Sequence, residues 1–150
     1  MNKYLKLILS ILFCLFVGFA GSLATTPSIP TWYATLNKPF FSPPNWLFGP
    51  VWTLLYIFMG ISLYLIWSKP KKLKIIFFTQ LFLNFLWSLI FFGLHQPLLA
   101  FLEIIALWYF IFFYIRQALL VSRLAAYLFY PYLAWVSFAS ILNLAVALLN

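Results

Sequence analysis

The sequence predicts an all-α integral membrane protein: a bundle of five transmembrane helices with a structured loop between the first and the second. Three observations predict it. The chain is 67% hydrophobic and only 7% charged, with a mean hydropathy of +1.08, which is more apolar surface than a soluble 150-residue domain can withdraw from water. Its apolar residues fall into five stretches, each near the ~20 residues that cross a hydrocarbon core as helix. Its basic residues gather at the ends of those stretches.

The five spans follow in order. Leu7–Ala24 carries no charge, and neither does Leu47–Trp67, where Pro50 is expected in the first turn and its missing N–H does little harm. Ile75–Leu94 has only Gln80 and Asn84 as strongly polar groups, and Leu98–Ile115 contains Glu103. Leu124–Leu149 is long, with a kink expected at Pro131. With their interfacial ends the helices are expected at about 5–25, 46–67, 73–94, 97–116 and 122–149. Ser68–Lys74, His95-Gln96-Pro97 and Arg116–Arg123 are short connections; only Thr25–Trp46 is long enough to fold over one end of the bundle.

That loop and the start of the second span, TWYATLNKPFFSPPNWLFGPVW over Thr31–Trp52, hold four Pro, three Trp, a Tyr and a Lys. A plain connector needs none of these. Pro43-Pro44 stiffens the backbone, and Lys38 before Pro39 is biased to an extended conformation. The segment reads as a rigid aromatic cap, a lid over an apolar ligand.

With the N-terminus in the cytoplasm, Lys3, Lys6, Lys69, Lys71, Lys72, Lys74, Arg116 and Arg123 fall inside and Lys38 alone falls outside, a strong positive-inside bias. The C-terminus and the long loop then lie on the outer face. The net charge of +8 is therefore a matter of topology, and no nucleic-acid partner is expected, since no basic face has polar surroundings. Lys3, Lys6, the first apolar run and Ser22-Leu23-Ala24 also resemble a cleavable signal peptide, although the run is long for one. Cleavage would leave four spans in the same orientation, and the mass of the mature protein distinguishes the two.

Within the bundle, Gln80, Asn84, Trp87, Ser88 and Phe91 share one helical face of the third span. Polar groups are costly in lipid, so this face points inward. An amide there acts either as glue between helices or as one polar contact in a ligand wall, and Trp87 beside it favours the wall. In the fifth span Trp135, Ala139, Leu142 and Asn143 align, leaving room for a closely packed helix or a flat ligand. Trp52 and Tyr56 pair at i, i+4 in the second span, while Trp46 and Trp67 sit near its ends as interfacial anchors. Gly18 and Ser22 form a small-xxx-small pair that suggests helix contact or dimerisation. Glu103, the only acid, is expected about 8 Å into its span and reads as structural ahead of functional. His95, in an outer turn, reads as a surface residue.

Several function classes fall away. One Glu, one His and one Cys cannot form a carboxylate pair, a triad or a multi-ligand metal site, so no metal and no cofactor is expected. Cys14 has no partner for a disulfide. A phosphate-binding glycine loop is absent, which excludes an ATPase.

Three blocks carry a specific resemblance. WYATLNKPFFSPPNWLFGPVWTLLY, LNFLWSLIFFG and LFYPYLAWVSFASILN resemble the signature segments of the TspO/MBR family, the tryptophan-rich sensory proteins related to the mitochondrial translocator protein. Order, spacing and length agree over nearly the whole chain. The resemblance implies one five-helix transmembrane domain, often a homodimer, with a ligand pocket capped by the first loop. It implies a receptor or sensor whose ligands are porphyrins such as protoporphyrin IX, haem-like tetrapyrroles and related hydrophobic molecules. Carried over by position, Tyr33, Pro43 and Pro44 belong to the lid, and Trp52, Asn84, Trp87, Phe91, Trp135, Ala139 and Leu142 line the pocket. Some family members degrade protoporphyrin in light with two pocket tryptophans implicated; Trp52 and Trp135 match them, which implies an alternative, enzyme-like role. Transport of tetrapyrroles or lipids is a further alternative, weakened by the lack of an inverted repeat. One departure stands out: after Leu142-Asn143 the chain continues LAVALLN, without the aromatic and Arg of the mitochondrial sterol-recognition segment.

Overall fold

A computed structural model describes residues 1–150. It is all-helical, with five helical segments long and apolar enough to cross a membrane. Helix α1 (Lys3–Ser28) starts where the Asn2 side chain accepts the Tyr4 N–H at 2.7 Å and runs one turn beyond the expected end at Ala24. Pro27 sits in its last turn, and the Thr31 hydroxyl caps the Pro27 carbonyl. The loop is correspondingly shorter, and its only helical piece is a 3₁₀ turn at Tyr33–Thr35.

Helix α2 (Asn45–Ile66) begins directly after Pro44, whose extended backbone (φ −63°, ψ 146°) ends the loop. This start lies two residues ahead of the apolar run that begins at Leu47, so Pro50 is the sixth helical residue instead of lying in the first turn. Its missing N–H leaves the Trp46 carbonyl without its helical partner. Helix α3 (Lys71–Ser88) continues into a π turn at Leu89–Gly93. The Leu94 N–H reaches back to the Leu89 carbonyl at 2.8 Å. The π turn replaces the plain α-helix expected to Leu94, and the Ser28 hydroxyl donates to the Phe92 carbonyl within it at 2.7 Å.

Helix α4 (Pro97–Ala118) starts with proline at its N-terminus, the position that tolerates it best. The fifth span is broken into α5 (Arg123–Tyr127) and α6 (Tyr130–Leu149), with Pro131 at the start of α6. The expected kink is thus a full interruption. Short α5 is fastened near the lysine-rich end: Ser62 of α2 donates to the Ala125 carbonyl at 2.9 Å and pairs with the Tyr114 hydroxyl of α4 at 2.7 Å.

Two glycines set how closely α1 and α2 approach. A Cβ on Gly60 would overlap the backbone of Ile11, and one on Gly18 would overlap the Tyr56 ring. Gly18 therefore serves a contact within the chain. Gly49, in the same helix as Gly60, faces open space. Alanine is favoured over glycine in a helix by about 0.5–1 kcal/mol, whereas overpacking costs about 1–3 kcal/mol. Gly60→Ala is expected to lower the unfolding temperature in detergent, and Gly49→Ala to leave it unchanged or raise it.

Candidate ligand-binding site

The site arises from how α2 and α6 are held apart. Helix α2 packs mainly on α1 and α5, and α6 on α4. Between the halves of α1, α2, α3 and α6 remote from the lysine-rich end lies a cavity of about 600 Å3. Its walls are aromatic. Phe48 and Trp52 come from α2, Trp87 and Phe91 from α3 and its π turn, and Trp135 from α6, with Ala139 and Leu142 completing that side. The Trp87 and Phe91 rings stack at 5.1 Å, and Phe48 meets Trp135 edge to face at 6.0 Å.

The ring of Trp87 is held by its own nitrogen. Its Nε1 donates to Asn143 Oδ1 at 2.9 Å, and Asn143 Nδ2 donates in turn to the Pro97 carbonyl at 2.8 Å. Both polar atoms of Asn143 are thereby used to tie α3, α4 and α6 together. The indole N–H of Trp135 is buried and has no acceptor in the protein.

Below the aromatic walls a chain of polar side chains crosses the bundle. The Tyr56 hydroxyl donates to Asn84 Oδ1. Asn84 Nδ2 donates to the Tyr132 hydroxyl at 2.7 Å, which donates to Gln80 Oε1 at 2.9 Å. All four residues are buried. Asn84 is the correction to the expected pocket set: its amide is consumed by two tyrosine hydroxyls and it does not line the cavity. It acts as the glue between helices that the sequence left as the other reading, because the phenols of α2 and α6 reach it first.

The loop closes the remaining end. Tyr33 is buried, lines the cavity and packs against Phe92 at 5.7 Å. Burial raises its phenol above the ordinary tyrosine pKa. Lys38 folds back to donate to the Tyr33 carbonyl at 2.9 Å, with its ammonium 4.7 Å from the Tyr33 ring centre. Trp32 stacks flat on His95 at 4.4 Å, so the surface histidine also clasps the loop. His95 adopts a positive φ of 55°, a region in which histidine is several-fold enriched among non-glycine residues. On the other side, Asn150 accepts the Asn37 N–H at 3.0 Å and donates to the Asn37 carbonyl at 2.9 Å. Pro43 and Pro44 lie outside the cavity lining; they lead the loop into α2.

Of the expected site residues, Tyr33, Trp52, Trp87, Phe91, Trp135, Ala139 and Leu142 meet around this cavity. Trp46, expected as an anchor, is 71% exposed and also stands at the cavity rim, while Trp67 is at the opposite end of α2. Glu103 is away from the lining, with both carboxyl oxygens buried and unpaired. The contribution of α1 was missed. Ser22, Thr25 and Thr26 face the cavity, and these hydroxyls in an otherwise lipid-facing helix were the available signal. The lining contains no His, Cys, Met or charged side chain; its phenols are those of Tyr33 and Tyr56.

The comparisons with known proteins agree with this architecture. The sequence pattern described as the TspO/MBR family matches residues 10–149. The chain is 53% identical to the tryptophan-rich protein TspO of Archaeoglobus fulgidus over 150 residues, covering 97% of each. It is 45% identical to the protein of the same name from Chlorobaculum tepidum, covering 100% of this chain and 99% of that one. It is 39% identical to the translocator protein of Homo sapiens over 122 residues, 77% of this chain and 72% of the human one.

The polar chain generates a stability prediction. Asn84→Leu leaves the Tyr56 hydroxyl without its acceptor and is expected to cost about 1–2 kcal/mol. Tyr56→Phe/Asn84→Leu removes the orphan as well, so the double variant is expected to lose less than the sum of the two single ones. Denaturant unfolding in detergent measures both; strict additivity would contradict the bond.

Proposed function

We propose that this chain, which belongs to the TspO/MBR family, is a membrane receptor for a flat, largely apolar ligand of the porphyrin class, with protoporphyrin IX as the representative. The observation that carries the reading is the cavity itself. Its volume of about 600 Å3 is in the range of sites for drug-sized ligands. Its facing walls are indole and phenyl rings held at fixed angles, suited to a planar π-system by dispersion and stacking.

The distribution of basic residues supports an orientation as well. Eight of nine lie at one end of the spans, which supports a cytoplasmic N-terminus with the loop and the mouth of the cavity on the outer side.

Intrinsic-fluorescence quenching by protoporphyrin IX tests the reading. Trp87→Ala and Trp135→Ala are each expected to weaken binding about tenfold, from roughly 1–1.5 kcal/mol per aromatic contact. Trp67→Phe, outside the cavity, is expected to leave affinity unchanged. Unchanged affinity in both cavity variants would overturn the assignment.

A further inference from the structure

The lysine-rich end carries a second concavity that shares no residue with the first. It is about 290 Å3 in volume and lies where α1 meets α2 and α3. It begins below the close contact of Ile11 with Gly60. Leu63 forms a buried floor. Leu9 and Phe13 on α1, Trp67 on α2 and Phe78 on α3 form the sides, and Phe13 meets Phe78 edge to face at 6.0 Å. The groove is thus an apolar slot at one leaflet, shaped like a place for a hydrocarbon chain.

Cations border this slot. Lys6 of α1 is part of its lining. On α3, Lys74 stands one turn before Phe78, with its ammonium 2.9 Å from the Trp67 carbonyl and 5.7 Å from the Trp67 ring centre. Neither lysine has a carboxylate partner: Glu103 is the one acid in the chain, it belongs to α4, and both its oxygens are unpaired. An apolar slot with uncompensated lysines at its mouth is complementary to an amphiphile with a negative head, and basic pockets between transmembrane helices recognise such headgroups.

We propose that this groove binds one anionic phospholipid, with an acyl chain in the slot and the phosphate reached by Lys6 and Lys74. The site is independent of the aromatic cavity and of its ligand.

Native mass spectrometry of the delipidated, detergent-solubilised protein tests it with phosphatidylglycerol, phosphatidylcholine and glycerol 3-phosphate as probes. Phosphatidylglycerol is expected to bind one to one and more tightly than phosphatidylcholine, and glycerol 3-phosphate, which lacks the chain, only weakly. Each lysine contributes about fivefold, so Lys6→Gln/Lys74→Gln is expected to weaken phosphatidylglycerol about 25-fold. Lys71→Gln/Lys72→Gln, with the same loss of charge outside the groove, is expected to change it much less. Leu9→Trp keeps the charge and fills the slot; Leu9 is 46% exposed, so the fold accommodates the ring, and phosphatidylglycerol binding should fall. Equal binding of the two lipids, equal loss in the two lysine pairs, or full binding by Leu9→Trp would overturn the proposal. Strong binding of glycerol 3-phosphate would reduce the site to a phosphate contact and overturn it as well.

Discussion

The hydrogen-bonded chain Tyr56–Asn84–Tyr132–Gln80 is the constraint on which the rest of the structure depends. In hydrocarbon a polar side chain has no water to fall back on, so its partners must come from other helices. Here they come from α2, α3 and α6 at once. The chain gives α2 and α6, which pack mainly on other helices, a common fastening point. Beyond that point they separate, and the space between them is the cavity.

The same logic extends upward. Breaking the fifth span lets short α5 pack on α2 and α4 while α6 follows α4. The π turn in the third span brings successive phenylalanines, Phe91 and Phe92, to the cavity wall. Ser28 caps the Phe92 carbonyl and thereby ties the end of α1 to that turn. The loop is clasped on one side by Trp32 on His95 and on the other by Asn37 on Asn150. A lid held at two edges keeps Tyr33 in place between them.

Much of this was legible in the sequence. The spans were, because a bilayer demands about 20 apolar residues whatever the tertiary structure. The rings Trp52, Trp87 and Trp135 were placed by helical spacing and by the family resemblance together. Asn84 was correctly read as inward-facing, but a one-dimensional pattern does not say whether an amide will meet a ligand or a phenol 28 or 48 residues away. The π turn left no mark beyond Gly93, and the hydroxyl that meets its Phe92 carbonyl is that of Ser28, 64 residues distant. Pro50 was misplaced within α2 because the helix recruits polar Asn45 and interfacial Trp46 ahead of the apolar run.

The central claim is that a flat tetrapyrrole occupies the aromatic cavity beneath the loop. A structure determined with bound protoporphyrin IX tests it most directly. The account predicts the macrocycle inside the bundle, against Trp87 and Trp135 and below Tyr33. A macrocycle lying on the lipid-facing surface, with the cavity empty, would contradict it.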